Sequence, residues 1–482
     1  MADIMPMHAF EPMLLQDDVQ AICTRLKAVL DKQRLDAAAV DSWIYPSAHT
    51  GFKIPAKAGQ EHRDLQELAR TPWLSLVVTN VAQAMYVDAV VSDEGPISDL
   101  WRVWQDNNMQ SHQIANHRAM IAYGHSYGIV MPAYERGKET ARMRCLSPKR
   151  VACQWVDPAT DLYPEYALEA LSASTTSANY RLYDSNYTYD IVATGAGIDG
   201  YVVTGMTAHG IGVTPVVRFA NALDLDGNVT NEVDPFIPAA ARINKTSYDR
   251  LLAQHFNSWK VRTIAGIDLP ENEDDPDAER REMEQQKMRL RQEDILISED
   301  SGTKFGTLDS TLLDTFVTAW HSDVEALAAV SQTPAHALTG QLVNLNAEAL
   351  AAARSPLTQK VYERQVNAGA SYGRMLRLAS AVVPELEQYA DDPLIRTTWQ
   401  DMEIRSMSQA VDALGKAATM LKIPVRGLWN RIPGVESSDV QQWQTLADKE
   451  TDSDPLRAVL TRHSAATADS AGVTVPDPAA AD

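Results

Sequence analysis

The 482-residue sequence has only three cysteines, Cys23, Cys145 and Cys153. They are too few and too scattered for a disulfide framework or a zinc cluster, which favours synthesis in a reducing compartment. The sequence also lacks an uninterrupted apolar run of about 18 residues, so no membrane span is predicted. A chain of this length can bury a sizeable core, and it suggests roughly three domains or one elaborated subunit.

Basic residues are scarce relative to acidic ones. The sequence has 43 Lys and Arg against 64 Asp and Glu, a formal net charge of −21. Because gripping a phosphate backbone needs clustered Lys and Arg, this chain is a poor candidate for tight nucleic-acid binding. The charge is still compatible with a surface past which nucleic acid slides without being held.

Catalytic motifs are absent or lack the context they need. No P-loop pattern for ATP hydrolysis is present. Residues 124–128, GHSYG, match the serine-hydrolase pattern G-x-S-x-G around Ser126. That motif requires a strand before the serine and a helix after it, whereas the sequence predicts the reverse order, so a hydrolase is a disfavoured alternative. Residues 195–200 match a dinucleotide pattern, but a predicted strand follows, so we expect a hairpin turn. No cofactor or metal site is predicted.

Hydrophobic periodicity predicts a helix-rich α+β chain. Residues 14–30 have helical spacing, and several short helices are expected between 60 and 124. From about 126 to 219, alternating apolar residues and frequent turn residues predict antiparallel strands.

The second half of the sequence is predicted to be mostly helical. Two helices, at about 236–264 and 309–331, flank an acidic segment, and Pro334 is expected to stop the second one. A loop then leads to a helix over about 346–383, much longer than the usual 11 to 12 residues. A smaller helical region follows, and the tail from about 451 has a disordered composition.

Three stretches make this layout specific. They are IANHRAMIAYGHSYGIVMP at 114–132, a segment at 210–262 that begins GIGVTPVVRFAN, and AAVSQTPAHALTGQLVNLNAEALAAA at 328–353. Together with the order of elements, they resemble the portal proteins of tailed double-stranded DNA bacteriophages, of the actinobacterial siphophage type. The resemblance covers about residues 60–385.

The resemblance implies a structural, non-enzymatic subunit. Portal proteins form a ring, usually of twelve copies, at one capsid vertex, through which double-stranded DNA is packaged and ejected. The implied partners are other copies of the chain, non-specifically contacted DNA, the large terminase subunit, a head-tail adaptor, and the major capsid and scaffold proteins. No membrane partner is implied, and the expected location is the virion after synthesis in the host cytoplasm. A minor capsid or adaptor protein remains an alternative.

The resemblance also divides the chain into the regions of a portal subunit. These are a wing (1–234), a first stem helix (235–264), a clip (265–308), a second stem helix (309–331), a tunnel loop (332–346), a long wing helix with its connection (347–399), a crown (400–450) and a disordered tail (451–482).

Two groups of site residues follow from that division. The tunnel loop would present His336, Thr339, Gln341, Asn344 and Asn346 to DNA, and the clip would present Glu271, Glu273, Asp274, Asp275 and Asp277 to docking partners. The loop contains no Lys or Arg, which suits weak contact with a moving duplex. Twelve copies at −21 each would carry about −252, a repulsive field around DNA. The alternatives are an ordinary helix connection and a solvated acidic face.

Overall fold

The computed structural model divides the chain into two compact units, which are described separately. Unit 1 comprises residues 1–35, 79–231 and 360–482, and unit 2 comprises residues 36–78 and 232–359. The residues that the structure describes are 13–45, 52, 54, 59–93, 95–135, 137–173, 177–194, 200–258, 262–265, 304–307, 312–341, 347–400, 407–432, 435 and 437–452.

The described elements confirm a helix-rich α+β chain. The helices are α1 (Gln16–Ile44), α2 (Gln60–Leu68), α3 (Trp73–Gln83), α4 (Ser98–Asp106), α5 (Met109–Tyr123), α6 (Ile237–Ser258), α7 (Leu313–Val330), α8 (Ala335–Thr339), α9 (Ala347–Val382), α10 (Met407–Met420) and α11 (Ser437–Asp452). The strands are β1 (Val87–Val91), β2 (His125–Glu135), β3 (Lys138–Leu146), β4 (Val151–Gln154), β5 (Tyr166–Ala173), β6 (Ser177–Tyr183), β7 (Tyr187–Thr194), β8 (Tyr201–Ala208), β9 (Val216–Ala220), β10 (Ala222–Leu223), β11 (Val229–Thr230), β12 (Arg262–Ala265), β13 (Lys304–Thr307) and β14 (Arg396–Trp399).

Unit 1 contains two larger antiparallel sheets. One is a five-stranded meander in the order β4-β5-β6-β7-β8, and the other is three-stranded in the order β3-β2-β9. Strands β7 and β8 pair antiparallel, with Ala193 opposite Tyr201, so a strand follows the glycine-rich pattern, whose residues 195–199 lie outside the described part of the chain. A helix, which a dinucleotide site would need there, does not follow.

Helix α1 supplies one apolar face to the five-stranded sheet. Its residues Val19, Ile22 and Leu26 form a buried cluster with sheet residues that include Leu182 and Ile191. The apolar positions recur every three to four residues, so one stripe of the helix covers the sheet. The helix is longer than the predicted span of 14–30, because this spacing continues to its end.

Strand β2 begins directly after α5, at the glycine of the GHSYG pattern. Gly124 has φ +84°, and a Cβ atom there would lie 3.3 Å from the carbonyl carbon of Thr230. Glycine therefore ends the helix and lets the chain turn immediately into the strand. The order of helix, glycine and strand is the one that the sequence predicted.

One pair of strands in unit 1 was not predicted. Strand β1 lies within a region expected to hold only short helices, and it pairs antiparallel with β14, about 300 residues later in the chain. Each strand is short, so neither gives a strong periodic signal.

Unit 2 contains the helices on both sides of the acidic segment. Helix α6 ends at Ser258, and residues 262–265, which were expected to be helical, form β12 instead. This strand pairs antiparallel with β13, with Arg262 opposite Thr307 and Ala265 opposite Lys304. The backbone hydrogen bonds of this ribbon replace those of a last helical turn, which corrects the predicted extent of the helix.

The long helix α9 runs from Ala347 to Val382 and agrees with its predicted span to within about a residue at each end. Pro356 lies inside it. The expectations of a clip helix near 278–294 and of a disordered tail concern residues outside those the structure describes, apart from the end of α11.

Candidate functional site

Helices α6 and α7 of unit 2 are tied together by one acidic side chain. Asp323 accepts a hydrogen bond from Arg242 Nε at 2.7 Å and another from Thr246 Oγ1 at 2.9 Å. Arg242 and Thr246 are four residues apart, so they lie on the same face of α6 and reach the same carboxylate. The two helices therefore pack as a hairpin whose ends lead into the β12–β13 ribbon.

Apolar side chains of both helices are buried in unit 2. Ile243 on α6 and Val324 and Leu327 on α7 are fully buried. Helix α7 also contacts α3, because the rings of Trp320 and Trp73 lie 5.9 Å apart in a tilted arrangement. Val324 and Leu327 are three residues apart, so they lie on one face of α7 and that face points inward.

The charges of this helix pair are close to balanced. Helix α6 has three bases and one acid, and α7 has three acids and no Lys or Arg. Lys245 pairs with Asp249 one turn later and lies 5.4 Å from the ring centre of Tyr248. Arg242 and Lys245 thus already have carboxylate partners. They would bind a passing phosphate backbone only weakly, because binding it would break these contacts.

The segment after α7 turns before its proline rather than at it. Helix α7 ends at Val330, and Gln332 has the left-handed φ of +53°. The buried hydroxyls of Ser331 and Thr333 are hydrogen-bonded to each other at 3.0 Å. The end of the helix is therefore set by this turn, which precedes Pro334.

The predicted tunnel loop is not wholly irregular, because α8 occupies residues 335–339. The backbone nitrogen of Gly340 donates to the carbonyl of His336 at 3.0 Å. The hydroxyl of Thr339 donates to the Ala335 carbonyl, and it accepts from the Gln341 backbone nitrogen at 3.3 Å. The structure thus brings three predicted loop residues onto one short turn whose outer end, at Gln341, is exposed.

The other predicted site residues lie outside the described part of the chain. These are Asn344 and Asn346 of the loop, and Glu271, Glu273, Asp274, Asp275 and Asp277 of the acidic segment. The β12–β13 ribbon brackets the acidic segment, so its two ends are adjacent.

The geometry around Ser126 does not match a nucleophile. Ser126 is fully buried, and its hydroxyl donates to Asn116 Oδ1 at 2.7 Å rather than to a histidine. The nearby His117 contacts the hydroxyl of Tyr372 at 3.0 Å. A hydrolase needs a histidine base on an accessible serine, and neither condition is met at this position.

Among the residues that the structure describes, no group of three or more His, Cys, Asp or Glu side chains could hold a metal ion. None of the described helices is long and apolar enough to cross a membrane.

Sequence reasoning did not identify the residues that join α6 to α7. Arg242 and Asp323 are 81 positions apart, and each looks like an ordinary surface charge in its own helix. The resemblance to portal proteins implied that the two helices pair. Pairing alone suggests that opposite charges face each other across the helices, but it does not indicate which residues do so.

Comparison with known proteins identifies a family and a relative. A family model described as "Phage portal protein, SPP1 Gp6-like" matches residues 46–453. The portal protein of Mycobacterium phage D29 is 25% identical over 367 residues, which cover 72% of each chain.

Two solved structures are distantly similar. They are the neck of an empty GTA particle computed with C6 symmetry and the neck of a native GTA particle computed with C12 symmetry. Their TM-scores are 0.39 and 0.40, at 10% and 12% sequence identity. The alignments cover 81% and 82% of this chain, and 95% and 99% of those chains.

Proposed function

The chain belongs to the phage portal proteins, and from this membership we propose that it forms a ring of about twelve copies at one capsid vertex. Double-stranded DNA enters and leaves the capsid through the centre of that ring. A portal protein is a structural component of the virion. We propose that this chain is not an enzyme, and that ATP hydrolysis during packaging belongs to the terminase.

The α6–α7 hairpin is the observation that carries this proposal. It is a packed pair of helices within unit 2 that continues into the β12–β13 ribbon, and it is followed by a short turn and the 36-residue helix α9. The hairpin provides a stem, the bracketed acidic segment provides a clip, and residues 332–346 provide a loop that approaches DNA.

The charges of the candidate site favour weak contact with moving DNA rather than tight binding. The hairpin has three bases against four acids, and residues 332–346 contain no Lys or Arg. Counterion release upon phosphate contact would therefore contribute little to affinity. Weak contact lets a duplex move, because no strong bond must be broken at each step.

The acidic segment between the stem helices is the proposed docking surface. It would engage the large terminase subunit during packaging and the head-tail adaptor afterwards. Major capsid and scaffold proteins would contact the ring during assembly in the host cytoplasm.

Electron microscopy with mass measurement by light scattering tests the ring. We expect particles of about twelve subunits with a central hole, either from the purified protein or from protein co-expressed with its capsid and scaffold proteins. Copies per virion separate a portal from a minor capsid protein, because a portal contributes a single ring to each particle. The absence of rings under both conditions would overturn the proposal.

A further inference from the structure

Unit 1 contains a cavity with charged side chains in its lining that the proposed function does not use. Its volume is about 140 Å³. It lies between strand β9 and helix α9, beside the turn that follows β4, and its polar and aromatic lining includes Trp155, Asp161, Arg218, Asn367, Ser371 and Arg374.

Two guanidinium groups in this cavity have only neutral partners. Arg218 donates to the Pro158 carbonyl at 2.6 Å and lies 4.6 Å from the ring centre of Trp155. Arg374 donates to Ser371 Oγ at 3.0 Å and, more weakly, to the Leu162 carbonyl at 3.4 Å. Neither has a carboxylate partner in the part of the chain that the structure describes. Since a guanidinium has five N–H groups, both retain donors for another ligand.

The surroundings make these two charges costly. Burial lowers the pKa of both Arg218 and Arg374, and the positive charges of Arg377 and Arg218 lower that of Arg374 further. Like charges in a partly desolvated site repel each other, and an anion placed between them would relieve the repulsion. The cavity therefore favours a negatively charged group.

The charge of the lining selects the kind of anion. Two arginines and the single acid Asp161, whose Oδ2 accepts from the Asp157 backbone nitrogen at 2.7 Å, leave a formal charge of +1. One carboxylate brings that formal charge to zero, whereas a dianionic phosphate would make it negative. A planar carboxylate also matches the fork of a guanidinium, and its size suits the cavity.

The rim of the cavity points to a protein as the source of the carboxylate. Leu162 and Leu223 line it and are 56% and 41% exposed. Leu225, on the hairpin loop that follows Leu223, is 98% exposed. Exposed apolar residues around a polar pocket are typical of protein interfaces, in which an apolar ring excludes water from a central polar contact.

We propose that this cavity receives the carboxylate of an Asp or Glu side chain from a second copy of the chain. This inference rests on the proposed ring, which places identical chains side by side. The chain has 21 more acids than bases, so a neighbouring copy offers many carboxylates. The incoming carboxylate would bind Arg218 and Arg374 while the leucines pack against the neighbour.

The substitution Arg374→Gln tests the contact. We expect the association of subunits into rings to weaken by about tenfold or more, since a desolvated charge pair loses one partner. The melting temperature of dissociated subunits should not fall, because a half-buried cation without a carboxylate partner in the described part of the chain has been removed. The matched control is Arg102→Gln, an exposed arginine of unit 1 with a loose contact to Asp99 at 3.8 Å, and it should leave association unchanged.

A free carboxylate provides a second readout. Replacing chloride by acetate at equal ionic strength should weaken ring association of the unmodified protein and have little effect on Arg374→Gln. If rings form and Arg374→Gln assembles as tightly as the unmodified protein, the carboxylate contact is overturned while the ring stands. If no ring forms under any condition, the proposed function fails. In that case acetate must still raise the melting temperature of unmodified subunits more than that of Arg374→Gln, or the cavity site fails as well.

Discussion

Glu169 is a fully buried carboxylate held by side chains of unit 1. Arg144 donates to both of its oxygens, at 2.8 and 2.9 Å, and the Tyr183 hydroxyl donates at 2.6 Å. Arg150 adds a longer contact at 3.3 Å. Burial alone would raise the pKa of Glu169, but the hydrogen bonds from Arg144 and Tyr183 outweigh it and lower the pKa. The folded protein therefore stabilises the charged form of Glu169.

We expect Glu169→Gln to lower the free energy of unfolding by about 3 kcal/mol at pH 7, because the variant leaves Arg144 without its charged partner. A carboxyl whose pKa is lower in the folded state stabilises the protein above its unfolded pKa, and that stabilisation is lost as the pH falls through the folded pKa. The difference between the two proteins should therefore shrink below about pH 4 in urea unfolding.

The control for this prediction is Asp190→Asn. Asp190 accepts from Arg181 at 2.7 Å, but both side chains are partly exposed. An ion pair of that kind contributes about 1 kcal/mol or less. Equal losses for the two variants would contradict the role assigned to the buried carboxylate.

Two buried histidines of unit 1 predict a second pH effect. The pKa of both His117 and His125 is lowered to about 4, by burial in each case and, for His125, also by the positive charge of Arg218. Between about pH 6.5 and 4 the unfolded chain binds protons that the folded chain does not, so stability falls as the pH falls through that window. Urea unfolding at pH 7 and pH 5 should show the loss.

The variant His117→Gln should reduce that pH dependence, even if it is less stable at both pH values. Its control is His112→Gln on the same helix, because His112 is exposed. Two variants with the same slope of stability against pH would show that His117 does not carry the effect.

At the scale of elements, helix α9 approaches the residue just before strand β14 so closely that only glycine fits at one position. A Cβ atom at Gly373 would lie 2.8 Å from the carbonyl oxygen of Ile395, a backbone atom that cannot rotate away. At Gly369, one turn earlier, the nearest atom would be 3.6 Å away, which is ordinary contact. Close backbone contact therefore requires glycine at position 373 but not at position 369.

We expect Gly373→Ala to lower the free energy of unfolding by about 1–3 kcal/mol, since the helix must shift away from the strand. Gly369→Ala should be neutral or stabilising by up to about 1 kcal/mol, because alanine favours the helix. Thermal unfolding of both variants checks this, and a loss at Gly369 as large as that at Gly373 would contradict the packing argument.

The elements that the sequence predicted well are those with long, local patterns. The span of α9 and the two helices on either side of the acidic segment followed from apolar spacing within each helix, whereas the pairing of those two helices came from the resemblance to portal proteins. The β1–β14 pair was missed because its strands have five and four residues and meet only through the fold. The end of α6 was misplaced because a strand partner, not local spacing, fixes residues 262–265.

The candidate site was less predictable than the fold. Its loop and acidic segment came from resemblance to a family, since neutral residues such as His336 and Gln341 have no chemical signature of their own. The carboxylate of Asp323 and the guanidiniums of Arg218 and Arg374 acquire roles only when distant elements are brought together.

At the scale of the whole molecule, the protein combines a net charge of −21 with a proposed path for DNA. The proposed ring of such chains would repel a duplex overall, so we expect DNA to stay in the channel through confinement rather than affinity. A cation introduced into the loop after α7 would be repeated in every subunit of the ring. Such a substitution should therefore increase the attraction between the channel and DNA.

We therefore expect Gln341→Lys to make rings retain linear duplex DNA that the unmodified rings release at about 0.15 M salt. Gln341 is exposed, so the substitution adds charge without disturbing packing. The plot of log affinity against log salt should steepen by about 0.9 for each phosphate newly contacted. Filter binding over a salt series measures both quantities.

The control, Ser111→Lys, adds the same charge at an exposed position of α5. If it strengthens DNA retention as much as Gln341→Lys, net charge rather than the loop's position governs the contact, and the loop loses its assignment.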